Sequence, residues 1–318
     1  MNDPAHPPTF ERPFPALTPE QRYHFEVYGY TVVEHTLQPD EVRECKDAVY
    51  RIREELLKLE DPSMNGPRYH GAYLAKSQPH HHFLGHILES EPAVTAYATH
   101  PRLVAMAEEI MGGEARIVEV NAHINSVIPD ADFSQEPTYG FHKGADVPFG
   151  SHVMNGLIHC SFVKTLTNLT DLGPDDGGTV VVAGSHKVDV PSDQLIEAAY
   201  SNRSLIHQVV APAGSTLLFA ETLIHATGQI RSDTERVILI AGYGTTLYPY
   251  WDNGILSEEF ENQIPDHMRT LFNGKVHWTR NPRYRTLDQA ADDRDFNLGK
   301  WDDRRRVEKQ KPEETGKK

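Results

Sequence analysis

From Ala115 to about residue 250 the chain breaks into short apolar runs rich in β-branched residues, separated by glycine, proline and aspartate. The runs fall at 115–127, 139–144, 155–169, 178–183, 206–211, 215–220 and 236–245. Many short strands with turn signals between them build a sandwich, a jelly roll or a barrel, because such folds leave few sheet edges unpaired. The first part of the chain reads differently. Residues 1–16 form a proline-rich extended arm. Thr18-Pro19-Glu20-Gln21 then opens a helix, with an N-cap, proline at the first helical position and Gln21 closing a capping box. This helix stops at Gly29, and Tyr30 to Val33 looks like a short strand. Residues 39–59 carry Val42, Cys45, Val49, Ile52 and Leu56 at helical spacing. Residues 61–83, with His80, His81 and His82, read as an exposed loop, and 91–111 as a third helical region ending at Gly112. The expectation is one domain over 17–280, with a helical part at about 17–113 packed on a β core at about 115–250. A charged peripheral segment, 281–318, would follow.

Composition narrows the partners. Hydrophobic residues make up 38% of the chain, enough for a core. The formal net charge of −15 weighs against a nucleic-acid polymer, an anionic membrane or an acidic carrier protein, each of which needs a basic footprint. The run Arg304 to Arg306 reads as a solvated tail. Two cysteines without metal-ligand spacing, and an N-terminus without an apolar signal segment, lead to the expectation of a cytoplasmic protein.

Three residues organise the β half: His142 on an early run, His225 on a late one, and Arg236 at the start of the last. The last strand of a jelly roll returns beside its earlier strands, which would place Arg236 deep in the same barrel as the histidines. A buried guanidinium needs an anion. A dicarboxylate supplies one through a bidentate contact. The pair His82 and His86 is a poor zinc site, with no third ligand near it.

At this point the chain resembles phytanoyl-CoA dioxygenase-like proteins. The resemblance lies in Leu17 to Gln21, Tyr28-Gly29-Tyr30, Leu37 to Glu41, Leu169-Thr170-Asp171, Asp175 to Thr179 and Ala183-Gly184-Ser185-His186-Lys187, with Ala183 where the family usually has proline. It spans roughly residues 17–250. It implies a mainly β fold with helical decoration, a double-stranded β-helix of jelly-roll or cupin-like type, acting with iron(II), 2-oxoglutarate and O2. By that resemblance His142 and His225 are metal ligands, Arg236 grips the distal carboxylate of 2-oxoglutarate, Thr227 assists it, and His186 is structural.

One departure stands out. The family's iron motif carries a carboxylate two residues after the first histidine, about 6.6 Å along a strand and on the same face. Here that position is Gly144. The pattern resembles iron/2-oxoglutarate halogenases, in which chloride takes the seat of the missing carboxylate. The resemblance thus implies chlorination of an unactivated C–H bond in a freestanding small molecule, with chloride as a further cofactor. The alternatives are a hydroxylase with Asp146 as metal ligand, which needs a bend because four residues of strand span about 13 Å, or with another carboxylate from elsewhere in the chain, a hydroxylase that works with the two histidines only, and a non-catalytic metal-binding jelly roll. Asn121, His123 and Asn125 alternate and share one face, which either lines a pocket or meets solvent. His159 and Lys164 fall on opposite faces of the expected strand 155–169, and an inward Lys164 could hold an anion. His152 reads as a bland loop residue. Tyr248, Tyr250 and Trp251 follow the last core strand, where aromatics can meet a substrate.

Overall fold

The computed structural model describes residues 15–144, 150–154, 156–246, 248 and 256–274. Its strands are β1 (Tyr30–Val33), β2 (Tyr73–Gln78), β3 (His81–Gly85), β4 (Ala115–Asn125), β5 (Ser151–Met154), β6 (Leu157–Cys160), β7 (Phe162–Asn168), β8 (Thr179–Val182), β9 (Ile206–Val209), β10 (Thr216–Ala220), β11 (His225–Thr227) and β12 (Arg236–Thr245). The helices are α1 (Pro19–Tyr28), α2 (Pro39–Leu57), α3 (Pro92–Ala98), α4 (Pro101–Met111), α5 (Ser192–Ser201), α6 (Glu258–Gln263) and α7 (Arg269–Asn273). Among the described residues no helix is long and apolar enough to cross a membrane.

A seven-stranded antiparallel sheet runs in the order β1-β10-β7-β12-β4-β3-β2, and a three-stranded sheet runs β11-β8-β9. This is the jelly-roll core of a double-stranded β-helix, with helices packed on one side. Strand parity sorts the side chains. Along β12, Val237, Leu239, Ala241 and Tyr243 join the core formed with α2, α3 and α4. Ile238 and Ile240 point the other way, into a smaller core with Leu166, Leu217, Phe219 and Val181 between the two sheets. Both faces of the large sheet are therefore buried, so its central strands are apolar on both sides and the sequence pattern alone does not reveal which face is inward. Tyr97 ties α3 to the sheet: its hydroxyl donates to the Leu239 carbonyl at 2.9 Å and lies 3.1 Å from the Thr167 hydroxyl.

The capping box at α1 forms as its sequence dictates. The Gln21 amide donates to Thr18 Oγ1 at 3.2 Å, and the Thr18 amide to Gln21 Oε1 at 2.9 Å. Gly29 then closes the helix at φ +83°. Other segments depart from the sequence reading. The stretch expected as loop, 61–83, contains β2 and most of β3, a hairpin whose second strand pairs with β4. The third helical region splits at Pro101 into α3 and α4, because proline cannot continue a hydrogen-bond ladder. The run 155–169 is likewise two strands, β6 and β7, separated at Ser161. Residues 139–144 form no strand; only His142 pairs, as a single bridge to His225. The arm up to Ala16 and the segment 281–318 with Arg304 to Arg306 lie outside the described residues, apart from Pro15 and Ala16.

Candidate active site

Between the sheets lies a cavity of about 740 Å³. His142 and His225 meet at its wall. Their backbones form an antiparallel bridge, with N–H to O=C distances of 3.0 and 2.8 Å in the two directions. The ring centroids are 4.5 Å apart. Each ring is fixed through Nδ1, which donates to a backbone carbonyl: Gly140 for His142 at 3.1 Å and Leu223 for His225 at 2.8 Å. A tautomer protonated on Nδ1 leaves the Nε2 lone pair for a metal. Burial, the neighbouring His142 and the Lys164 charge push His225 down to about 3, which holds it neutral. The Phe219 ring packs edge-on to His225 at 4.7 Å.

Arg236 lies further along the cavity wall. It is 2% exposed and has no acidic partner among the described residues. Nη1 donates to Asn125 Oδ1 at 3.4 Å and Nη2 to Thr179 Oγ1 at 3.3 Å, both long contacts, and Nε has no partner. Burial lowers this guanidinium to about 10. Burial also pushes His81 down to about 4 and His123 well below the ordinary imidazole range, with nearby positive charge adding to both. The two rings meet through His81 Nε2 and His123 Nδ1 at 2.9 Å. The Arg236 cation thus sits among neutral donors and acceptors, an arrangement that fits a carboxylate ligand.

Near the histidines the cavity carries a second charged group. Lys164 Nζ lies 3.0 Å from Glu119 Oε1 and 2.9 Å from Glu221 Oε1. Burial alone would lower this lysine, but the two carboxylates outweigh it and raise its pKa. Burial raises Glu221 to about 7, with Lys164 opposing and Glu119 adding. Asn121 donates to Glu119 Oε2 at 2.8 Å.

Of the residues expected to line a pocket, Asn121, His123 and Lys164 do so, and Asn125 reaches Arg236. Others are corrected. The Lys164 ammonium, expected to be open to an anion, lies between two carboxylates. Thr227 lines the cavity but is exposed; the hydroxyl on Arg236 belongs to Thr179, its partner across the β11–β8 pair. Gly144 offers no vacant seat. A Cβ built there would fall 1.4 Å from Glu221 Oε1 and 2.4 Å from Glu221 Cδ, so the carboxylate of Glu221 occupies that space. His81, expected in an exposed loop, packs on His123 with ring centroids 5.2 Å apart. Tyr248 is not on the cavity wall. It packs against Phe162, with its hydroxyl 3.1 Å from Ser161 Oγ. His152 sits on β5 rather than in a loop, stacked on His159 at 5.6 Å, and His159 contacts the Ile110 carbonyl beneath α4. His186 is buried against Phe25 and the backbone of Gly29. Asp146, Tyr250 and Trp251 lie outside the described residues.

Sequence reasoning missed Glu221, Glu119 and Thr179. The signal for Glu221 was present: a lone carboxylate at the end of the apolar run Thr216 to Ala220, four residues before His225. A charge in such a run has to be paired or functional.

Comparison with known proteins agrees with this architecture. The family model described as phytanoyl-CoA dioxygenase matches residues 25–238, well over half of the chain. A dioxygenase of Talaromyces verruculosus, cdmD, is 24% identical over 266 residues, 78% of this chain and 82% of that protein. Among solved structures, HygX from Streptomyces hygroscopicus with nickel and 2-oxoglutarate bound superimposes with a TM-score of 0.58 at 22% identity, over 74% of this chain and 90% of HygX. The carbocyclase SnoK from nogalamycin biosynthesis gives a TM-score of 0.54 at 14% identity, over 78% and 92%. With the matched segment running from the end of α1 into β12 and so enclosing both histidines and Arg236, the chain belongs to the phytanoyl-CoA dioxygenase family of iron- and 2-oxoglutarate-dependent oxygenases.

Proposed function

We propose that this oxygenase hydroxylates a C–H bond of a freestanding small molecule, with His142 and His225 holding iron(II) through Nε2 and Arg236 gripping the distal carboxylate of 2-oxoglutarate. The observation that carries the reading is the shared cavity. Two imidazoles fixed through Nδ1 and one buried guanidinium without an anion face the same space. Bound iron would activate O2 at the expense of 2-oxoglutarate, which leaves as succinate and CO2 while one oxygen atom goes to the substrate carbon. The chain's own residues orient and shield. Thr179 and Asn125 hold the Arg236 fork flat for a bidentate contact. Leu166, Phe219, Ile238 and Ile240 supply an apolar wall that keeps bulk water from the reacting carbon. A small-molecule substrate is supported by the cavity's size and by HygX, whose structure holds hygromycin B.

Chlorination is the second reading, motivated by Gly144. The Glu221 carboxylate in that space disfavours it, since a chloride there would meet a buried negative group. The test is an anaerobic titration with iron(II) and 2-oxoglutarate, following the visible metal-to-ligand charge-transfer band. The band is expected to form and to ignore chloride. A saturable chloride shift would return the reading to a halogenase, and no band in the presence of both ligands would remove the oxygenase assignment of these residues.

A further inference from the structure

In the family's usual pattern the carboxylate ligand sits two residues after the first histidine, and this chain has glycine there. The space is nonetheless filled by a carboxylate from elsewhere. Glu221 Oε1 lies 1.4 Å from where a Cβ of residue 144 would be, so the Glu221 head group stands where a side chain at 144 would begin. The approach is held by backbone: the Gly144 amide donates to the Glu221 carbonyl at 3.2 Å, next to the His142–His225 bridge. Glu221 is 0% exposed and lines the same cavity as both histidines.

Hydrogen bonding leaves this corner incomplete. Among the described residues, Glu119 and Glu221 share the single ammonium of Lys164. Lys164 Nζ lies 2.9 Å from Oε1 of Glu221 as an ion pair, and neither oxygen of the buried carboxylate has a hydrogen-bond partner. A buried carboxylate with an open oxygen beside two imidazoles is a donor awaiting a cation.

We propose that Glu221 is the third protein ligand of the iron site, replacing from the neighbouring chain segment the carboxylate that Gly144 cannot provide. The inference rests on the reading of His142 and His225 as ligands. Two imidazoles and one carboxylate on one side of the metal are the ligand set of non-haem iron oxygenases, with the remaining positions open for cosubstrate and O2. Among the described residues no three His, Cys, Asp or Glu side chains already converge as a cage. Glu221 would hold the metal by turning its head group toward the imidazoles, with Lys164, held by Glu119, as the partner that orients it. Glu221 and His225 then both come from the single stretch Glu221 to His225, and only His142 comes from outside it.

The experiment compares iron(II) affinity by anaerobic equilibrium dialysis, together with the visible spectrum of the cobalt(II)-substituted protein, across five variants whose thermal unfolding is recorded in parallel. Glu221→Gln keeps the shape of the side chain and removes its charge. It is expected to weaken iron(II) by more than about 100-fold, beyond the 10–100-fold typical of a group that only orients a ligand, and to change the cobalt(II) spectrum. Gly144→Asp alone collides with Glu221. In the pair Gly144→Asp with Glu221→Ala the collision is gone, and a carboxylate in the family's usual position is expected to restore most of the affinity. His142→Ala is expected to abolish binding, and Asp146→Asn to leave it unchanged. If Glu221→Gln binds iron(II) like the parent chain while His142→Ala does not, Glu221 is not a ligand and the two-histidine reading stands alone. A loss on Asp146→Asn with none on Glu221→Gln overturns the proposal in favour of Asp146. If His142→Ala also binds normally, the metal site as a whole is misassigned.

Discussion

The two faces of the seven-stranded sheet are made by the same strands and carry different chemistry. On the helix side, β12 offers Val237, Leu239 and Ala241, and β4 offers Val120, Ala122 and Ile124, all packed into one apolar core. On the cavity side the same two strands offer Arg236, Ile238 and Ile240, and Glu119, Asn121 and His123. One face holds the molecule together by burying carbon, at about 1.5–3 kcal/mol for each large aliphatic side chain. The other spends part of that stability on a guanidinium, an ammonium and two carboxylates withdrawn from water. Residues adjacent in sequence thus serve separate ends. Stability and ligand binding should be separable by parity along a single strand.

Arg236→Met tests this division most severely. It removes the cation proposed to face the 2-oxoglutarate carboxylate, and 2-oxoglutarate binding measured by calorimetry on the iron-loaded protein should weaken by about 2–5 kcal/mol. The melting temperature should hold or rise, since an unpaired buried charge gives way to an apolar chain. A collapse in melting temperature would mean that Arg236 is structural first. Leu239→Ala, three residues on and on the opposite face, should do the reverse. It should cost about 2–5 kcal/mol of unfolding free energy in a urea titration through the cavity it opens, with 2-oxoglutarate affinity unchanged. If both quantities fall together, the sheet transmits strain between its faces and the comparison fails. Thr179→Val is the finest cut. It deletes one hydroxyl from Arg236 and should weaken 2-oxoglutarate by about 0.5–1.5 kcal/mol, whereas Thr227→Val should leave the same calorimetric titration unmoved.

What could be read from the sequence follows from how local each signal is. The α1 cap is written in Thr18 to Gln21, and it formed as written. His142, His225 and Arg236 could be singled out because each sits in a recognisable run, and the structure places all three around one cavity. The β2–β3 hairpin was missed because the histidine run 80–82 and the polar stretch before it hide the alternation; the strands form because β4 supplies a partner edge. The inward faces of β4 and β7 could not be assigned because both sides of the sheet are buried and apolar parity runs both ways. Glu221 was passed over for a different reason. Its charge at the end of an apolar run marks it as paired or functional, but only the space over Gly144, far off in sequence, brings it beside the His142 segment.

The bridge between His142 and His225 has a mechanical consequence. One pair of reciprocal backbone hydrogen bonds fixes the separation of the two imidazoles, and the rings are pinned to carbonyls two residues upstream on either side. The two bonds join one pair of residues, so the segment bearing His142 is expected to part from His225 only with the loss of both. Deuterium uptake at those two amides would then follow a common clock, slowed in unison by any ligand that clamps the rings.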